Sequence, residues 1–377
     1  AGLLLRSYDR LRQVQPGFDP HGVVAVDVAL PYVRYRDYEA VKAFYQRLIE
    51  RLGEIPGVVA AGATTDLPLD APEGCSSIFL ENVPLPPGRE PDCVPVRLVT
   101  PGYFQAMGIR VEGRAPSWSD VEHRAGEVVV TRALARRLWP GENPMGKGLK
   151  GNGGDPPFYH VVGVTGDVRE LGLDKPPVEA VYFPMLPMPG TYLWSPPRFM
   201  SVVVRAPGVS EQQLGNVIRR ALAEVDPLVP VAKYRSMDAV VRQSMVRVSL
   251  TMMLLGIAAA MALVLSAVGL YGVISYVVGE RRSEIGIRMA LGASGPNVRR
   301  MVMMQSARLA AAGVLIGVAG ALATTRVLRS LLFEVSAGDP ITLGAAGLLL
   351  VAIAAVASWF PARRAARVDP MEVLRAE

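Results

Sequence analysis

Histidine is nearly absent from this chain. His21, His123 and His160 are the only three in 377 residues, they lie far apart, and no HExxH motif pairs any of them. That excludes the helix-borne zinc site of metalloproteases, which needs two histidines one turn apart. No Gly-x-Ser-x-Gly is present, so the nucleophile elbow of the hydrolases is missing as well. Carboxylates are plentiful, but no pair stands out from an ordinary solvated surface. The sequence thus nominates no catalytic residue, no cofactor-binding residue and no metal ligand. Cysteine is also scarce. Cys75 and Cys93 are candidates for a disulfide if they meet an oxidising compartment. The sequence leaves open whether their Cα atoms lie close enough to pair.

A complete phosphate-binding loop is missing too. The nearest approach is WPGENPMGKGLKGNGG, Trp139–Gly154, in which Gly141, Gly146 and Lys147 have the right spacing. The motif needs a strand before it, a helix after it and a Ser or Thr following the lysine to hold magnesium. Here ALARRLW before it has helical character, Gly148 takes the hydroxyl's place, and GLKGNGGDPP is too rich in glycine and proline for a helix. The stretch reads as an exposed turn whose glycines permit positive φ.

Charge is thin as well: 20% of residues are charged and 50% are hydrophobic, with a mean hydropathy of +0.27. The apolar excess is concentrated. Ser249–Val278, Leu309–Thr325 and Pro340–Ala362 carry no charge at all. Runs of about 18 or more such residues read as membrane spans. We expect three complete transmembrane helices at 249–278, 301–325 and 341–360. Ala1–Leu5 is too short to span and reads as the last turn of an earlier span, residues 1–7, so the chain is expected to be a piece of a longer protein.

The net charge of +6 gathers around the spans rather than on one nucleic-acid-binding face. Loop 279–300 has five Arg and two Glu, tail 361–377 has four Arg and three acids, and loop 326–340 has two Arg. The positive-inside rule puts 279–300 and the tail in the cytoplasm and leaves 8–248 outside. The partner implied is the lipid membrane, not a nucleic acid.

Residues 8–248 are richer in charge and proline, as a water-soluble domain should be. The pattern strand–helix–strand occurs twice: 22–30, 36–57 and 58–65, then 199–208, 210–227 and 228–234. Val41, Phe44, Tyr45, Leu48, Ile49 and Leu52 line one face at helical spacing. Ser210 is placed to cap the second helix. Two such units on one sheet make a split βαβ, ferredoxin-like lobe. The intervening 66–198 reads as an inserted β-rich lobe with short helices, one of them near Arg132–Leu138. The expected fold is therefore an α+β membrane protein with a two-lobed extracytoplasmic domain. Ser236–Val248 should be helical and run into the first complete span. Its thirty uncharged residues make about 45 Å of helix, more than the ~30 Å hydrocarbon core requires, so the helix should tilt or stand proud as a stalk.

The cytoplasmic loop carries the most information. In ERRSEIGIRMALGAS, Glu284 and Arg288 form an i,i+4 pair in the favoured order, while Ile285, Met289 and Leu291 leave an apolar edge. The pattern alone is that of an amphipathic interfacial helix. Together with the tail PARRAARVDPMEVLRAE and the span layout, however, this stretch resembles the FtsX/MacB-type permeases of ABC transporters. LLFEVSAGDPITL, 331–343, resembles the duplicated-permease branch common in acidobacteria.

That resemblance implies a coupling helix, formed by Glu284, Ile285, Gly286, Ile287, Arg288, Leu291 and Gly292, that docks on an ABC ATPase. ATP is then bound by the partner. It implies a multi-pass protein of the bacterial inner membrane, working with a second permease half or as a homodimer, and in some systems with a periplasmic adaptor. It also implies mechanotransmission in place of a pore, used for efflux or for extraction of a substrate. The alternative is an FtsX-like sensor or adaptor that regulates a cell-envelope enzyme without transport. Gly313 and Gly317 in the second span would let another helix approach closely, either within the chain or across a dimer. Arg308 in the same span reads as a side chain snorkelling to the headgroups.

Overall fold

The computed structural model describes residues 10, 11, 13–70, 75–88, 90–151, 157–188, 195–281, 284, 287, 291, 295–323 and 340–365. Two compact units divide the chain: residues 14–246 form one, and residues 1–13 with 247–377 form the other.

The first unit begins with β1 (Val23–Ala29), α1 (Tyr38–Gly53) and β2 (Ala60–Thr64). These are answered late in the chain by β11 (Phe199–Arg205), α5 (Glu211–Val225) and β12 (Val231–Ser236). The order is β12-β1-β11-β2 with every neighbour antiparallel. This is the split βαβ arrangement that the repeated pattern predicts. Local chemistry sets the helix limits. Asp37 caps α1 by accepting from Ala40 N at 2.8 Å, and Glu39 and Arg51 suit the two ends of its dipole. A reciprocal capping box of Ser210 and Gln213 opens α5. The six apolar residues predicted for α1 are the six it buries.

Apart from Asp27, β1 is apolar along both faces because both faces are covered. Val24, Val26 and Val28 share a core with α1 and α5 residues such as Phe44, Leu48, Ile218 and Leu222. Val23 and Ala25 belong to a second core with Tyr103, Phe104, Met107, Val203 and Met237.

The insertion supplies β3 (Ser76–Leu80), β4 (Asp92–Val94), β5 (Val96–Val99), α2 (Tyr103–Met107), β6 (Val111–Gly113), α3 (Trp118–Glu122), β7 (Glu127–Thr131), α4 (Arg132–Leu138), β8 (Gly148–Gly151), β9 (Tyr159–Thr165) and β10 (Val181–Pro184). It is β-rich with short helices, as expected, and has its own core around Val128, Val130, Leu134, Leu149 and Tyr159. The boundary between the lobes is less sharp than the sequence suggests. The sheet continues from β2 through β5-β10-β7-β9-β8-β3-β4, and β6 pairs with β9 off this path. The junction is the pairing of Thr64 with Val99. α2 then lies on β2 so closely that a Cβ on Gly62 would sit 2.3 Å from Tyr103 N. Only glycine fits there.

At 139–147 the chain turns, with Gly141 and Gly146 at φ 77° and 76°. A strand, β8, follows where the nucleotide motif would need a helix.

The remaining elements are α6 (Met237–Glu280), α7 (Gly295–Ala323) and α8 (Pro340–Ala365). α6 is one unbroken helix of 44 residues. Among the described residues it alone is long and apolar enough to cross a membrane; the apolar stretches Ala311–Gly320 and Gly344–Phe360 are shorter. α7 starts inside the expected loop 279–300, with Pro296 in its first turn. α8 runs on into the expected tail. α7 and α8 pack together, and a Cβ on Gly347 would touch Val314 Cγ1 at 3.4 Å. Loop 326–339 and the tail beyond Ala365 lie outside the described residues.

Candidate functional site

Of the coupling-loop residues nominated by resemblance, Glu284, Ile287 and Leu291 are described, whereas Ile285, Gly286, Arg288 and Gly292 lie outside the described residues. α6 carries its helical bonding one residue further, through Arg281 N to Val277 O at 3.2 Å. Glu284 and Ile287 are helical, and Leu291 N donates to Ile287 O at 3.0 Å, a single helical turn. Ile287 and Leu291 are 47% and 83% exposed. Two large apolar side chains four positions apart thus stand uncovered among the described residues.

The other end of α6 is built into the extracytoplasmic domain. Met237 is fully buried and Val240 nearly so, in the core shared with Phe104, Val129 and Tyr182. Ala239 N donates to Ser236 Oγ at 3.3 Å, which caps the helix. Asp238 lies in the first turn, where the helix dipole favours it, and 3.0 Å from His21 Nδ1.

Just before this root, Arg235 of β12 reaches two carboxylates. Its Nη2 donates to both oxygens of Asp27, at 2.6 and 2.8 Å. Its Nη1 lies 2.5 Å from Asp70 Oδ2. Lys233 adds a contact of 3.6 Å to the same oxygen of Asp70. Asp27 is buried in the middle of β1 and also accepts from Ser201 Oγ of β11 at 2.6 Å. One carboxylate therefore ties three neighbouring strands.

Two further buried carboxylates are held in the same way. Glu170 accepts from Arg97 Nη2 at 2.8 Å and Nε at 3.1 Å, and from the Tyr182 hydroxyl at 3.1 Å. Burial pushes its carboxyl above the usual range, against the pull of Arg97. Burial and the neighbouring Glu170 raise the Tyr182 hydroxyl well above its ordinary value. Asp226, at the C-terminal end of α5, accepts from Tyr35 Oη at 2.7 Å and Arg34 Nη1 at 3.0 Å. The Tyr35 hydrogen bond, aided by Leu228 N and Arg34, holds its carboxyl below the usual range. Tyr35 itself is pushed up to about 12 by burial and by Asp226. Every described acid that is buried is thus locked to an arginine. Groups held in this way join elements; they are not free to shuttle protons.

Cys75 and Cys93 form a disulfide, with Cα atoms 5.3 Å apart, that closes the β3–β4 hairpin at the end of the sheet. Cβ atoms added at Gly313 and Gly317 would meet nothing within 4 Å, so the small-residue face of α7 is not packed against described residues of this chain. Arg308 is exposed on the same helix. His21, His123 and His160 remain separate, and no group of three or more His, Cys, Asp or Glu among the described residues could hold a metal. Sequence reading passed over the arginine–carboxylate joints. The one signal available was Asp27, a lone charge inside the apolar run VVAVDVA.

Comparison with known proteins bears on both halves of the chain. The model of the MacB-like periplasmic core domain matches residues 4–221, and that of the FtsX-like permease C-terminal domain matches residues 256–370. Among curated proteins, the macrolide export ATP-binding/permease protein MacB of Marinobacter nauticus is 26% identical over 272 residues, covering 71% of this chain and 41% of that protein. MacB of Azoarcus sp. is 29% identical over 269 residues, covering 69% of this chain and 39% of that protein. The chain thus spans about two fifths of the length of the curated relatives it matches. Among solved structures, the periplasmic region of MacB from Actinobacillus actinomycetemcomitans is similar at 14% identity and a TM-score of 0.41, covering 62% of this chain and 97% of that one.

Proposed function

We infer, because this chain belongs to the MacB-like and FtsX-like permease family, that it is the permease subunit of an ABC transporter and works by mechanical transmission. A separate ATPase binds and hydrolyses ATP. Its closure moves loop 280–292, the spans shift, and the extracytoplasmic lobes change their spacing. Substrate is expelled or extracted from the membrane or periplasm without passing through this chain. The chain sits in the bacterial inner membrane with three complete spans, and pairs with a second permease half or a second copy.

The observation that carries this reading is the continuity of α6. One helix without a break begins in the core of the extracytoplasmic domain, at Met237, and ends at Glu280, next to the loop that exposes Ile287 and Leu291. At 1.5 Å per residue it is about 66 Å long, roughly twice the ~30 Å hydrocarbon core. A continuous helix so rooted offers a path along which displacement at one end is carried to the other.

Co-purification with a cognate ABC ATPase tests the docking assignment. Charge reversal at Glu284 and Arg288 combined with Leu291→Asp should abolish the complex. A complex that survives all three changes would show that docking lies elsewhere. The FtsX-like alternative is separated by its partner: capture of a peptidoglycan hydrolase by the extracytoplasmic domain, with no substrate moved, would favour it.

A further inference from the structure

We propose that residues 66–70 act as a charged tie that couples the root of α6 to the inserted strands. The proposal rests on the mechanical reading above and names a part through which displacement travels.

The segment leaves β2 and leads into the insertion, and it carries a carboxylate at each end. Asp66 faces the insertion, with Oδ2 3.6 Å from Arg97 Nη1 of β5. Arg97 is in turn locked to Glu170. Asp70 faces the other lobe, held by Arg235 at 2.5 Å and Lys233 at 3.6 Å, both on β12. Arg235 stands two residues before the first residue of α6. The five residues between and including these carboxylates are fixed along their length. Leu67 is buried, Leu69 N donates to Glu170 O at 2.7 Å, and Asp70 N donates to Leu67 O at 3.2 Å.

Leu69 adopts φ 66°. A leucine in that region is strained and stays there only where its surroundings over-determine it. The two ion pairs and the bond to Glu170 are those surroundings. A short, strained segment clamped at both ends resists stretching, so a shift of β12 and the α6 root is passed to β5 and Glu170. Exposed ion pairs contribute little to stability. Asp70, however, meets an arginine whose other arm is fixed to buried Asp27, so the clamp is anchored on its far side.

The α6 root also touches the insertion through the packing of Met237 and Val240, and the experiment must separate the two routes. Spin labels introduced through unnatural amino acids at Gln212 on α5 and Val83 on the hairpin, both exposed, report the distance between lobes in the full chain in lipid nanodiscs. Met237→Ala empties a core position beneath the root and should shift the mean distance. In an Asp70→Asn background that shift should fall by about half or more, and Asp70→Glu should restore it, as expected of two sites coupled through one contact. An equal shift in the Asn background assigns the coupling to core packing and overturns the tie. So does a failure of Asp70→Glu to restore the shift, or the absence of any shift in the otherwise native chain. No ATPase is present in this measurement. A negative result therefore leaves the docking assignment standing, and loss of docking leaves the tie standing.

Discussion

Replacing Arg97 by methionine should expose the internal economy of the extracytoplasmic domain. Arg97 and Glu170 are 4% and 2% exposed, and three hydrogen bonds converge on the glutamate. Removing one partner of a buried pair leaves an uncompensated charge and costs about 3–5 kcal/mol. A domain of this size has about 5–15 kcal/mol in total, so the loss is a large fraction. At roughly 2–4 °C per kcal/mol, the melting temperature should fall by about 6–20 °C.

The pH dependence supplies the sharper test. Glu170 already has its carboxyl raised by burial, with Arg97 pulling it back down. Without Arg97 the folded-state pKa climbs further above the unfolded value. A group raised in this way costs nothing while it stays protonated, and it costs stability as pH rises from the ordinary carboxylate range through the folded value. The Arg97→Met penalty should therefore be small near pH 5 and grow towards pH 8. The double change Arg97→Met with Glu170→Leu removes both charges; it should recover much of the loss and flatten the profile. The recovery is incomplete, because the buried Tyr182 hydroxyl then loses its acceptor, at about 1–3 kcal/mol. The assay is thermal unfolding of the full chain in detergent, followed by amide hydrogen exchange across Arg97–Tyr182. A single variant that melts like the wild type at pH 8, or a double variant no better than the single, would refute the reasoning.

Three other outcomes follow from the same structure. Gly62→Ala should weaken the union of the lobes, since its Cβ would lie 2.3 Å from Tyr103 N and 2.5 Å from Tyr103 Cα. Both are backbone atoms, and limited proteolysis should cut the 65–100 region sooner; unchanged cutting would mean that α2 does not rest on β2. Tyr35→Phe removes a hydrogen bond to Asp226 at a cost of about 1–3 kcal/mol. Asp226 is held below the usual carboxylate pKa, so its stabilisation is present above the unfolded pKa and lost as pH falls through the folded one. The variant should accordingly lose the part of wild-type acid unfolding that depends on this carboxylate, below about pH 4. Reduction of Cys75–Cys93 opens a loop of 18 residues, worth about 3 kcal/mol; exchange should rise in the β3–β4 hairpin while β1 and β11 stay protected.

The sequence was most legible where one physical pattern decides an element. α1 repeats its apolar residues every three to four positions and begins at an Asp N-cap, and it appears as predicted. α6 was legible because thirty uncharged residues follow a helical stretch with no glycine–proline break between them. Elements that rest on tertiary partners were not. α2 and α3 are five residues each, too short to show a helical period. β8 is Gly-Leu-Lys-Gly, which no propensity marks as a strand; Leu149, buried against the insertion's core, holds it in the sheet. The coupling loop was nominated by resemblance and not by spacing, since a short charged helix with an apolar edge looks alike in many proteins. The buried ion pairs escaped for a different reason. Arg97 and Glu170 are 73 positions apart, and Asp27 and Arg235 are 208 apart; no local pattern links such partners.

Those long-range pairs also bear on why the domain keeps charge in its interior. Each buried carboxylate is paired across elements: Asp27 on β1 with Arg235 on β12, Glu170 after β9 with Arg97 on β5, and Asp226 at the end of α5 with the half-exposed Arg34 before α1. Well-packed apolar side chains would serve stability as well or better, because desolvation offsets most of the Coulomb gain. What an apolar contact lacks is direction. A valine pair tolerates sliding by a fraction of an ångström, whereas the Arg235 guanidinium, which donates through Nη2 to Asp27 and reaches Asp70 through Nη1, is held between two carboxylates by directional bonds. A domain that must carry displacement from a helix root to a distant lobe loses motion at every contact that slides. On that argument, replacing the Asp27–Arg235 pair by Val and Met should cost only the acceptor that the buried Ser201 hydroxyl then loses, about 1–3 kcal/mol. The same double change should uncouple the inter-lobe distance from perturbations at Met237, so that stability and transmission part company in a single variant.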